Sequence, residues 1–214
     1  MLRTLPALLL LLLLLPALVP AARAQAPTLP ALHDVTGVTA PDVLNVRENP
    51  RASAGVLGAL PADATGIEVV ALSDSGDWGR VNLGERSGWV SMRYLVPAPG
   101  ADAQALVFDR PLRCVGTEPF WTLASDGTAL SWSRPGADPL PVEPQLTARA
   151  AGRPAYRDAL DALIDGQDRL TAVVRSAACS DGMSDTAYGL SVDALVQDAD
   201  GGRLLSGCCT IAPQ

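Results

Sequence analysis

The sequence predicts a mainly β protein with two small domains. Three observations carry that reading. Short apolar runs recur between turn residues along residues 33–97, and no helical period of useful length interrupts them. A Pro-, Ala- and Gly-rich stretch, PAPGADAQA at 97–105, lacks apolar periodicity and reads as a linker. The remainder, residues 106–214, again shows strand-like runs, with at most one short helix.

The chain opens MLRTLPALLLLLLLLPALVPAARAQ. Arg3 gives a positive start, Leu8 to Leu15 is unbroken and apolar, and Ala22-Arg23-Ala24 has the small-x-small form of a cleavage site. Residues 1–24 therefore read as a secretory signal peptide, cut before Gln25, with no membrane anchor expected after cleavage. Residues 25–32, QAPTLPAL, read as a flexible leader.

Within 33–97 the expected strands are Val35 to Thr39, Leu44 to Arg47, Val56 to Leu60, Ile67 to Leu72, Gly79 to Leu83 and Trp89 to Met92. Turn signals such as Glu48-Asn49-Pro50 and Ser73-Asp74-Ser75-Gly76-Asp77 separate them. Short strands at this spacing predict a small closed or nearly closed barrel. In 106–214, Ala129 to Ser133 and Leu170 to Arg175 read as strands. Leu190 to Val196 and Arg203 to Ser206 read as a hairpin around Asp198 to Gly202. Tyr156, Leu160, Leu163 and Ile164 share one helical face, so a short helix is expected at Tyr156 to Ile164, stopped by Gly166.

The net charge is −7, and removing Arg3 and Arg23 with the signal peptide makes it more negative. Such a surface repels nucleic acid and anionic lipid. Every basic residue is Arg, and the arginines form no cluster. The cysteines are Cys114, Cys179, Cys208 and Cys209. An even number in an exported chain reads as two disulfides, with three possible pairings. Sequence neighbours on a strand point to opposite faces, so Cys208 and Cys209 each reach a distant partner.

Catalysis by cysteine or serine needs a histidine base. The one histidine, His33, stands far in sequence from every cysteine. Zinc would need the thiols reduced, which conflicts with export. Calcium at Asp181 and Asp185 lacks the spacing of a helix–loop–helix site, and a turn capped by Ser180 and Asp181 is the simpler expectation. No cofactor is expected. The remaining enzyme reading pairs Glu118 with Asp181 as the two carboxylates of a wall hydrolase, with Phe120 and Trp121 desolvating Glu118. Against it, alternation puts Phe120 and Trp121 on opposite sides of a strand, so that one ring anchors the core and the other faces outward.

VLNVRENP at 43–50, DWGRV at 77–81 and SGWVSMRYL at 87–95 resemble, in order and spacing, the bacterial SH3 family (SH3b). The resemblance covers 33–97. It implies an SH3-like barrel of five to seven strands that binds peptidoglycan or a peptide. Trp78, Trp89 and Tyr94 would form an aromatic groove with Asn45, Arg47 and Glu48 on its rim; the alternative is that these rings serve as core. Gly88 would allow close backbone approach before Trp89.

GTEPFW at 116–121, CSDGMSD at 179–185 and SGC at 206–208 resemble a family of bacterial envelope proteins related to META or HslJ-like domains. Thr186-Ala187-Tyr188-Gly189 departs from its usual basic residue and Tyr-Pro. If Cys179 and Cys208 are the family pair, Cys114 pairs with Cys209, and each bond would add about 3 to 4 kcal/mol. Together these features predict a non-enzymatic envelope protein, periplasmic or secreted. Its partner would be a cell-wall polymer, a peptide or another envelope protein. A wall hydrolase, or an inhibitor or partner of a periplasmic hydrolase, stands as the alternative.

Overall fold

The computed structural model describes residues 28–99, 105–152 and 156–211. The expected signal peptide and most of the expected linker lie outside the described residues. Strands dominate, and among the described residues helical structure is confined to two short 3-10 turns.

The first part has eight short strands: β1 (Ala31–Val35), β2 (Leu44–Arg47), β3 (Val56–Leu60), β4 (Ile67–Val69), β5 (Ala71–Leu72), β6 (Trp78–Leu83), β7 (Arg86–Ser91) and β8 (Leu95–Pro97). They form a three-stranded sheet, β4-β1-β8, and a five-stranded sheet, β3-β2-β7-β6-β5. Inward residues Leu44, Val46, Val69, Val81 and Val90 are buried between them, as strand alternation requires. The run expected as one strand at Ile67 to Leu72 divides at the buried Val70, with β4 in one sheet and β5 in the other. Changing sheets at a bend is how small barrels turn corners. The strand expected at Val35 to Thr39 instead begins at Ala31 and ends at Val35. Gly37, at φ 66°, turns the chain out of extended conformation. Leu32 is therefore part of a strand and not of a leader, and it packs against the core of the second part.

Eight longer strands follow: β9 (Pro111–Thr117), β10 (Phe120–Asp126), β11 (Leu130–Ser133), β12 (Leu140–Arg149), β13 (Arg157–Ile164), β14 (Asp168–Cys179), β15 (Tyr188–Asp198) and β16 (Gly201–Thr210). They close into an antiparallel barrel in the order β10-β11-β12-β13-β14-β15-β16-β9. Eight strands leave an interior that side chains can fill. Leu123, Leu160, Leu170, Val174, Leu190 and Val192 fill it. Val107 and Phe108, in a 3-10 turn, are buried in the same core. Ser125 Oγ donates to the Phe108 carbonyl at 2.8 Å.

The expected helix at Tyr156 to Ile164 is overturned: Arg157–Ile164 is β13. Tyr156, Asp158, Leu160, Ala162 and Ile164 are all buried, which is a period of two. The sequence hides it because an aspartate occupies one inward position. Asp158 is fully buried and accepts hydrogen bonds from Arg149 Nε at 2.7 Å, Arg149 Nη2 at 2.8 Å and the Val107 N–H at 2.8 Å.

Two disulfides join Cys114 to Cys209 and Cys179 to Cys208. The first joins directly opposed residues of β9 and β16. The two parts also meet directly. Glu68 of β4, 6 % exposed, accepts hydrogen bonds from Thr210 Oγ1 and, at 3.0 Å, from the Ile211 N–H. Asn82 of β6 donates to the Ala187 carbonyl at 2.8 Å and accepts the Ala187 N–H at 3.0 Å. Ser176 Oγ donates to the Leu29 carbonyl at 2.9 Å.

Candidate functional site

On β2 the buried Leu44 and Val46 force Asn45 and Arg47 onto the opposite face. On β6 the buried Gly79 and Val81 do the same for Trp78 and Arg80. The Met92–Tyr94 3-10 turn between β7 and β8 brings Tyr94 beside them, and the Thr36 N–H donates to the Tyr94 carbonyl at 2.9 Å. Asn45, Arg47, Trp78 and Tyr94 thus line one cleft of about 520 Å³, together with Asp42, Thr39 and Arg93.

The cleft combines aromatic rings with charged groups. Arg47 Nη1 donates to the Ala54 carbonyl at 2.8 Å, which fixes the guanidinium at the rim. The Arg93 guanidinium lies 4.4 Å above the Tyr94 ring centre and hydrogen-bonds its hydroxyl. Two half-buried rings, two cations and the Asp42 carboxylate suit stacking combined with polar recognition.

The other two expected groove residues lie elsewhere. Trp89 stands on the same face of the sheet, directly opposite Arg47 on one side and Arg80 on the other. Glu48 turns toward a separate cleft that includes Arg80, Arg86, Ser180 and Asp185. Arg93 was missed as a candidate, although its position beside Tyr94 in the closing SMRYL segment was the available signal. Gly88 does permit close approach, since a Cβ there would lie 2.6 Å from Val46 and 2.9 Å from the Arg47 carbonyl oxygen.

The GTEPFW segment forms the β9–β10 hairpin, with Thr117 opposite Phe120 and Glu118 and Pro119 at its exposed tip. Phe120 is 51 % exposed and Trp121 3 %. Gly116 lies directly opposite Trp121 and makes room for it, because a Cβ at Gly116 would fall 2.0 Å from Trp121 Nε1. Trp121 stacks on Trp132, ring centres 4.9 Å apart and 11° from parallel. Gly116→Ala is expected to cost about 1–3 kcal/mol by overpacking this slot, read as a shift in the urea midpoint.

In CSDGMSD, Asp181 organises its own loop. Its Oδ1 accepts the Met183 and Ser184 N–H groups, both at 3.0 Å, and its Oδ2 accepts Ser184 Oγ at 2.9 Å and Tyr188 Oη at 3.3 Å. Desolvation pushes the Asp181 carboxyl up, but these hydrogen bonds outweigh it and leave it below the usual carboxylate range. The backbones of Asp185 and Arg86 of β7 pair in an isolated parallel β-bridge, so this loop touches the first part. Ser180 Oγ accepts the Gly182 N–H at 3.2 Å. His33 is buried in β1, where its Nδ1 donates to the Ala31 carbonyl at 3.1 Å. All four cysteines are in disulfides. Among the described residues no group of three His, Cys, Asp or Glu side chains is placed to hold a metal ion.

Residues 42–96 match the family described as bacterial SH3 domain. That stretch contains every residue of the aromatic cleft except Gly37, Val38 and Thr39. No curated protein and no solved structure matches the chain. The resemblance of the second part to META or HslJ-like domains gains no support from these comparisons.

Proposed function

We propose that this protein is a non-enzymatic binding component of the bacterial cell envelope, held to peptidoglycan or its peptides by the cleft of its SH3 domain. The carrying observation is the convergence of Trp78, Tyr94, Asn45 and Arg47 on one cleft within the matched segment. Rings offer stacking area to sugar or peptide, while Arg47 and Arg93 meet carboxylates. Two disulfides fit an oxidising compartment outside the cytoplasm. The hydrolase alternative asks Asp181 to act on substrate, yet both its oxygens are engaged by its own loop. This favours the binding reading.

The test is co-sedimentation with purified sacculi. The chain is expected to pellet with them. Trp78→Ala combined with Tyr94→Ala is expected to lower the affinity at least tenfold, since each lost stacking ring is worth roughly 0.5–1.5 kcal/mol beyond its buried area. Equal pelleting of the double variant would remove the cleft from the account. Release of soluble wall fragments by the unaltered chain would replace binding with hydrolysis.

A further inference from the structure

A second groove crosses the join between the two parts, away from the aromatic cleft. One section of about 390 Å³ lies between the domains, with Glu68 and Asn82 on one side and Arg113, Thr186 and Tyr188 on the other. A second section of about 310 Å³ holds Phe120, Trp121 and Arg134. Arg113 and Val115, adjacent outward positions of β9, line both sections, which therefore neighbour one another on the barrel surface.

The two sections carry two cations, Arg113 and Arg134, against the one carboxylate of Glu68, in a chain that is net negative. The carboxylate of Glu68 is buried and already accepts Thr210 Oγ1 and the Ile211 N–H. Asn82 spends both ends of its amide on Ala187. Arg113 and Arg134 are exposed. The Arg113 guanidinium has no hydrogen-bond or ion-pair partner among the described residues. Phe120, at the β9–β10 hairpin end opposite Thr117, is exposed and lines the same section as Arg113 and Arg134. A structural role explains Trp121 but not its neighbour.

We infer that this groove binds a short peptide that carries carboxylates around an apolar side chain. Arg113 takes one carboxylate within the interdomain section, Phe120 packs against the apolar residue, and Arg134 meets a second carboxylate. A guanidinium presents paired donors that match a carboxylate. The exposed Phe120 ring beside the cations favours a peptide over a small anion or a uniformly charged glycan. The site is distinct from the aromatic cleft and does not depend on it.

Isothermal titration of the full chain tests this. The probe is a blocked heptapeptide with two glutamates flanking a phenylalanine. Its controls are the double-glutamine analogue and an oligogalacturonate. Saturable binding of the glutamate peptide is expected, about tenfold weaker for the glutamine analogue and for Arg113→Gln, and about threefold weaker for Arg134→Gln. Trp78→Ala is expected to leave it unchanged, which separates this site from the wall-binding cleft. Amide resonances of Phe120, Thr186 and Tyr188 should shift on titration. No saturation at millimolar peptide, equal binding of the glutamine analogue, preference for oligogalacturonate, or unaltered affinity in a folded Arg113→Gln protein would each overturn the assignment.

Discussion

Replacing Cys114 and Cys209 together by alanine is expected to destabilise the barrel by about 4 to 5 kcal/mol, the largest effect of any change considered. The effect follows from how the barrel closes. Most neighbouring strands pair over longer runs, nine residue pairs between β15 and β16 for example, although β11 and β12 share only three. The closing seam of β16 on β9 has three: Cys208 with Val115, Cys209 with Cys114, and Thr210 with Arg113. These are also contacts of high sequence separation, and the disulfide spans 95 residues. Cross-linking so long a loop removes much of the entropy of the unfolded chain. Both cysteines are wholly buried, so the alanines also leave a small void. Urea unfolding followed by the fluorescence of Trp121 and Trp132 measures the loss. The companion variant at Cys179 and Cys208, whose separation is 29 residues, should lose about 1 kcal/mol less. A loss below about 1 kcal/mol for the Cys114 and Cys209 variant would mean that strand pairing alone closes the barrel.

Asp158→Ala is expected to cost about 3 to 5 kcal/mol. Asp158 is the buried acceptor for three hydrogen bonds, two from one guanidinium and one from the backbone of the 3-10 turn at Val107. Alanine leaves the Val107 N–H without its acceptor and deprives Arg149, whose side chain is 25 % exposed, of its bidentate partner. Removing one member of a buried pair is far more damaging than replacing both with apolar groups. The control is therefore Asp158→Leu combined with Arg149→Met, which should recover at least half of the loss. Thermal unfolding of the three proteins decides it. If Asp158→Ala melts within a degree or two of the unaltered chain, the network does not hold the turn on the barrel.

The same aspartate marks where the sequence becomes hard to read. The bounds of β2 and β3, Leu44–Arg47 and Val56–Leu60, are those expected from alternation and turn residues. Each is short, has apolar residues inside, and ends at a local signal. β13 also alternates, but Asp158 breaks the apolar pattern and its alanines and leucines fit a helix equally well. β12 carries Pro141 and Pro144 and exposes most of its side chains, so nothing in it announces a strand. The register shift between Pro144 and Leu146 accommodates the second proline. Closure by β9 and β16 is non-local and leaves no periodic trace.

The candidate site divides in the same way. Asn45, Arg47, Trp78 and Tyr94 were legible because local alternation and a recognisable motif place them. Glu48 follows Arg47 by one position, and that single step carries it away from the cleft. The meeting of Glu68 and Asn82 with Arg113 depends on how the two parts of the chain pack, which no local pattern encodes. In GTEPFW the alternation separates Trp121 from Phe120, but only the barrel shows that Gly116 exists to admit Trp121.

The central claim is that the aromatic cleft of the first domain is the contact with the wall. Its most direct measurement is chemical-shift mapping of the isotope-labelled full chain during titration with soluble peptidoglycan fragments. The account predicts saturable shifts concentrated at Asn45, Arg47, Trp78, Arg93 and Tyr94. No saturable shift, or shifts gathered on the barrel strands with those five residues unmoved, would contradict it.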